Sequence, residues 1–126
     1  MSYGKAAVHA VELCMKDKDL SPNEAWSAGV LEHIASQSGR IKGCPKGSFL
    51  GLCSADRVIG INPGNYTRSI YNRDYAITAV EILKQSEHKM SAPELWDRVM
   101  AVHEKNIVSN HQMEVVLALW DKGMIR

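Results

Sequence analysis

Three serine-initiated capping signals, each opening a stretch of apolar residues at helical spacing, constrain this chain more than any other feature. Ser21-Pro-Asn-Glu24, Ser91-Ala-Pro-Glu94 and Ser109-Asn-His-Gln112 each place a hydroxyl where it can accept from the backbone N–H three residues on. A Glu or Gln at that third position can return the bond, which is the capping box. Pro22 adds a residue suited to the first helical position. The apolar residues that follow recur every three or four positions. Trp26, Val30 and Ile34 form one face, ended by Ser36-Gln37-Ser38-Gly39. Leu95, Val99 and Met100, with Trp96 adjoining, form a second over Ala92 to His103. Met113, Val116, Leu117 and Trp120 form a third that runs to about Lys122, with Gly123 placed as its C-terminal cap.

Two more helices follow from periodicity alone: Tyr3 to Lys16, with Ala7, Val11 and Cys14 or Met15 inward, and about Asn72 to Gln85, with Tyr75, Ala79, Val80 and Leu83 inward. A further helix opens at Cys44-Pro45, with Pro45 first and Phe49, Leu50, Leu52 and Cys53 as its apolar stripe. Ile107-Val108 reads as a two-residue strand fragment. The expectation is an all-α, five- or six-helix single domain over 1–126. Its parts are a helical pair (1–39), a basic, loop-rich segment (40–71) and a three-helix unit (72–126). A chain of 126 residues with 45% hydrophobic content can bury a core of its own. No apolar run reaches the length of a membrane span. His9 and Glu12 interrupt the N-terminal stretch, so it lacks a secretory pattern, and the expected location is cytoplasmic.

Charge is unevenly placed. Residues 40–73 hold six bases and one acid, residues 1–39 three bases and five acids, and residues 74–126 six bases and eight acids. A local excess of about +5 in a chain of net charge +1 attracts phosphate or carboxylate. Arg40, Lys42, Lys46, Arg57, Arg68 and Arg73 are the candidate anion contacts, and Tyr66 or Tyr71 could stack on a base. The competing reading is that these bases solvate loops and cap helix ends.

Other chemistries fit less well. Cys44 and Cys53 stand nine positions apart, roughly 13 Å along a helix, too far to share a metal or a disulfide. No metal site and no cofactor is expected. Cys44, at a helix start among Arg40, Lys42 and Lys46, is a candidate reactive thiol, but no histidine lies near it in sequence to act as base. Lys46-Gly47-Ser48 and Gly60-Ile-Asn-Pro-Gly64 lack the order of a phosphate loop. Gly47 and Gly51, four apart, mark a close approach by a ligand or another backbone. His33 and His103 adjoin apolar faces and read as satisfied, partly buried histidines.

Two resemblances add to this. Residues 72–126, ending Leu119-Trp-Asp-Lys-Gly-Met-Ile125, loosely resemble the helical core of winged-helix domains. They depart from it in lacking room for a two-stranded wing after Arg126. They depart again in a would-be recognition helix poor in bases, with Asn110, His111, Gln112, Glu114, Asp121 and Lys122 exposed. The run Cys44-Pro-Lys-Gly-Ser-Phe-Leu-Gly-Leu-Cys53, with Gly64-Asn-Tyr-Thr-Arg-Ser69 and Tyr75-Ala-Ile-Thr-Ala-Val80, resembles an uncharacterised bacterial domain family over Gly43 to Leu83. That resemblance implies a bacterial source and no transferable activity. The functional expectation is a non-enzymatic binding module that engages nucleic acid or an anionic protein through 40–73, without a membrane, and compatible with a homo-oligomer. The alternatives are an adaptor domain using loop 57–69 and a small enzyme using Cys44.

Overall fold

Serine caps set where four of the helices begin. In the computed structural model, which describes residues 2–126, the helices are α1 (Tyr3–Lys16), α2 (Pro22–His33), α3 (Gln37–Arg40), α4 (Gly43–Ser54), α5 (Ile70–Gln85), α6 (Ala92–His103) and α7 (Gln112–Asp121). The protein is all-α: six full helices and the single turn α3. The side chains of Ser2, Ser21, Ser36 and Ser91 accept from backbone N–H groups in the first turns of α1, α2, α3 and α6. At α2 the box is complete, since Glu24 returns a bond to the Ser21 N–H at 3.1 Å.

Several local expectations are corrected. Glu94 does not close its box, because His88 Nε2 at 3.1 Å and Arg98 at 3.6 Å hold its carboxylate. The Ser109–Gln112 box does not form. Instead α7 begins after His111, which sits at φ 65° without a side-chain cap bond. The Gln112 side chain is turned inward, accepting from the Asn110 N–H and donating to Asn72 Oδ1. Ser36–Gly39 does not only stop α2, because Ser36 starts the turn α3. α4 begins at Gly43, not Pro45, and α5 two residues before Asn72. Ile107 and Val108 form no strand and stand out in solvent.

Three helices end alike. Asp56, Glu104 and Gly123 take the left-handed conformation after α4, α6 and α7. In each case the N–H of the following residue reaches back to the carbonyl five before it: Arg57 to Leu52, Lys105 to Met100, Met124 to Leu119. This is the Schellman closure, and only one of the three uses the glycine that suits it.

Six helices share one core. α4 is its axis, with Phe49, Leu50, Leu52 and Cys53 each 1% exposed or less. Such a helix, apolar on all sides, must be covered on all sides. Trp26 of α2 stacks on Phe49 at 5.2 Å between ring centroids. Glycines let backbones meet. A methyl added at Gly29 would lie 2.5 Å from the Ala6 carbonyl oxygen, and one at Gly51 2.5 Å from the Arg73 Cα. Gly47 and Gly51 thus face α5 within the fold.

Side-chain contacts give the directions of the helices. At one end Tyr3 donates to the Gly39 carbonyl and its ring lies 4.7 Å from that of His111. Lys42 meets Asn110, Gly47 meets Ser69, and Asn72 meets Gln112 at the same end. At the other end Met15 meets Gly60, Arg57 pairs with Glu81, Asp56 pairs with Arg126, and Val58 forms a β-bridge with Ile125. α1, α4, α5 and α7 therefore all start at one end. α2 and α6 run back between them. α5, α6 and α7 pack on one another as a three-helix unit. The tail after α7 pairs with 57–59, through Ile59 N–H to Met124 O and Arg126 N–H to Arg57 O, and not with a strand of its own.

Candidate functional site

The end where four helices start collects part of the basic segment and excludes the rest. Arg40 is committed to the fold: its Nε donates to the Ile34 carbonyl at 2.6 Å and a terminal nitrogen to the Leu31 carbonyl, closing the C-terminus of α2. Arg57 lies at the opposite end, paired with Glu81. Arg73 packs its Cα on Gly51 and pairs with the neighbouring Asp74 at 3.3 Å. Tyr66 is a clamp for the 57–69 loop. Its hydroxyl donates to the Asn62 carbonyl, its N–H donates to Ser54 Oγ, its carbonyl accepts from Asn23, and its ring covers Gly64.

Lys42, Lys46 and Arg68 remain, at or beside the starts of α4 and α5. None has an ion pair among the described residues. Lys42 is the N-cap residue of α4 and makes no side-chain cap bond there. α5 and α7 also begin without a side-chain cap. Their leading N–H groups and those of α4 therefore lack the oxygen that serine supplies to α1, α2 and α6. Helix starts carry partial positive charge, so bases and dipoles add here.

Sequence reasoning passed over Lys105. It lies after α6, outside the basic segment, yet its ammonium sits 4.2 Å from the Tyr71 ring centroid and donates to Tyr75 Oη at 2.8 Å. Tyr71 is 69% exposed and Ile70 is 55% exposed in the first turn of α5. Ile41, before α4, and Val108, before α7, are 80% and 87% exposed. The end is thus basic and apolar at once. No sequence signal links residue 105 to residue 71; only the antiparallel packing of α6 on α5 does.

The cysteines divide by burial. Cys53 is fully buried and burial pushes its thiol well up, with Cys14 adding to the shift. Burial raises the Cys14 thiol as well. Cys44 is half-buried at the second position of α4, and its carbonyl accepts from Ser48 Oγ. Its thiol faces no histidine bond among the described residues. His103 is satisfied by Thr78 Oγ1 at 2.9 Å, whereas His33 carries no such bond. Among the described residues no helix is long and apolar enough to cross a membrane.

The chain belongs to a family of unknown function, DUF6979, whose model matches residues 1–126. No curated protein and no solved structure matches it.

Proposed function

We propose that this family member is a non-enzymatic binding module that holds a single-stranded nucleic acid at the end where α1, α4, α5 and α7 begin. The observation that carries the reading is the placement of Lys42, Lys46 and Arg68, none in an ion pair among the described residues, at or beside the starts of α4 and α5, where Tyr71 presents an exposed ring bearing Lys105 on one face. Bases that track a backbone, beside an aromatic face on which a nucleobase can stack, are the elements of sequence-tolerant single-strand recognition. The face is too irregular for groove reading: no helix projects from it, and its helices present their starts. Arg40, Arg57, Arg73 and Tyr66 support the surface by holding α2, α4, α5 and the 57–69 loop. Cys44 takes no role.

The test is salt-dependent binding of a fluorescent oligothymidylate. Four phosphate contacts predict a slope of log K against log salt of about −2.8, reduced by about 0.7 for each base removed. Tyr71→Ala should weaken binding by about 1–3 kcal/mol without changing that slope. Absence of binding at low salt refutes the proposal. Binding of an acidic, apolar peptide in preference to the oligonucleotide also refutes it, and would turn Ile41, Ile70 and Val108 into the determinants.

A further inference from the structure

A concavity runs from this end along α1 and α7. It is a groove of about 890 Å³ between α1 and α7, continued by His33 at the end of α2 and Ala92 at the start of α6. Its volume falls in the range of small-molecule sites. Val8, Leu117, Ala118 and Ala92 give it an apolar floor. Its ionisable groups are unevenly placed along its length, with Glu114 and Lys122 as the exceptions. Lys5, His9 and His33 line it toward the α1 start, and the His9 and His33 rings meet edge to face at 5.3 Å. Glu12 and Asp121 line it toward the other end. Lys5 and Glu12 are seven residues apart on α1, roughly 10 Å along the helix axis. Glu114 also lines the groove, but His111 Nδ1 holds its carboxylate at 2.6 Å. Lys122 lies near Asp121 and offsets it in part.

Donors at the α1-start end are unspent. Lys5 and His33 have no ion pair among the described residues, and His9 Nδ1 is a buried nitrogen with no hydrogen-bond partner. An apolar trough with cationic and imidazole donors at one end and carboxylates at the other selects both polarity and direction. We infer that this groove binds a medium-chain carboxylate, its head at Lys5 and His33 and its apolar body over Val8, Leu117 and Ala118 toward Ala92. An amine of the same shape would place its charge against Lys5 or, reversed, beside an Asp121 that Lys122 offsets, and should bind more weakly. A neutral alcohol would leave the donors unanswered.

The experiment uses the full chain and octanoate, with octylamine and octanol as matched probes, followed by amide chemical shifts. Saturable octanoate binding in the millimolar range or tighter, with shifts at Lys5, Val8, His33 and Leu117, is the expected result. Lys5→Glu, at an exposed position, should weaken it about tenfold or more, the loss of one charge-assisted contact, while Lys5→Arg retains it. The inference is overturned if octanoate does not saturate, if octylamine binds as tightly, if shifts fall elsewhere, or if folded Lys5→Glu binds unchanged. Oligonucleotide binding rests on Lys42, Lys46, Arg68 and Tyr71, none of which lines the groove, and is read by a separate assay, so failure of one does not register as failure of the other.

Discussion

Gly51→Ala should destabilise the protein although alanine is the better helix former. Gly51 lies inside α4, where replacing glycine by alanine gains about 1 kcal/mol of helix propensity. The new methyl carbon would lie 2.5 Å from the Arg73 Cα and 2.6 Å from its Cβ. Carbon atoms rest at roughly 3.5–4 Å, so α4 and α5 must part by about 1 Å. Neither obstructing atom is the loose end of a side chain. A separation of that size forfeits a quarter to half of the dispersion energy along the contact, and overpacking of this kind costs about 1–3 kcal/mol or more. Because backbone meets backbone, the upper figure applies, and the net loss is about 2 kcal/mol. For a chain of this length that lowers Tm by about 8 °C. Gly43→Ala is the control. It is the same substitution in the first turn of the same helix, with nothing within 4 Å of the added methyl, and it should be neutral or raise Tm by up to about 4 °C. Thermal unfolding followed by circular dichroism reads both. If Gly51→Ala is as stable as the parent, the close-approach argument for the α4–α5 contact fails.

Other outcomes follow from the caps and the thiols. Glu104→Gly should stabilise by about 1 kcal/mol, since Glu104 sits at φ 55° and glycine takes the left-handed region freely; urea unfolding checks it. Glu24 is held below the ordinary glutamate value of 4.5 first by its bond to the Ser21 backbone. Its folded pKa is lowered, so its stabilisation is present above about pH 4.5 and is lost as pH falls through the lowered value. Acid unfolding curves of the parent and Glu24→Gln should therefore converge below that window and separate above it. One thiol per native chain, Cys44, should react with a disulfide reagent at neutral pH, and three in denaturant; rapid labelling of Cys53 in the native state would contradict its burial.

The helices were legible in sequence because their signals are local. Ser21, Ser91 and the 3.6-residue spacing of Ala7, Val11 and Cys14 act within a turn or two, and tertiary contacts agree with them. Where a distant residue competed, the local signal lost. Gln112 was drawn inward to Asn72, so Ser109 caps nothing. Glu94 found His88 and Arg98 before the Ser91 N–H. The basic segment was legible as charge but not as a surface. Its middle is the most buried helix, which sends Arg57 to the far end, and Arg40 turns back onto α2. Lys105 joins the site, and His33 the groove, through helix packing that leaves no periodic trace.

The sign of the charges at the start end has a consequence for stability that tests the proposed function from the opposite side. Helix starts favour acids and serine-like caps; α1, α2 and α6 have serine caps, and α2 and α6 also have an acid in the first turn. α4 instead begins with Lys42, which contributes no cap bond, and has Lys46 in its first turn. The free protein would be better served by the opposite choice. Lys42→Ser supplies a cap oxygen and should stabilise by about 1 kcal/mol. Lys46→Glu reverses a charge against the dipole and should add about 0.3–1 kcal/mol. Both remove contacts to an anionic strand, so both should weaken oligonucleotide binding and shorten its salt slope as stability rises. A protein that gives up stability at one end and recovers it on binding behaves in this way. If the two substitutions stabilise the chain and leave binding untouched, the bases at this end serve no anion and the proposal falls with them.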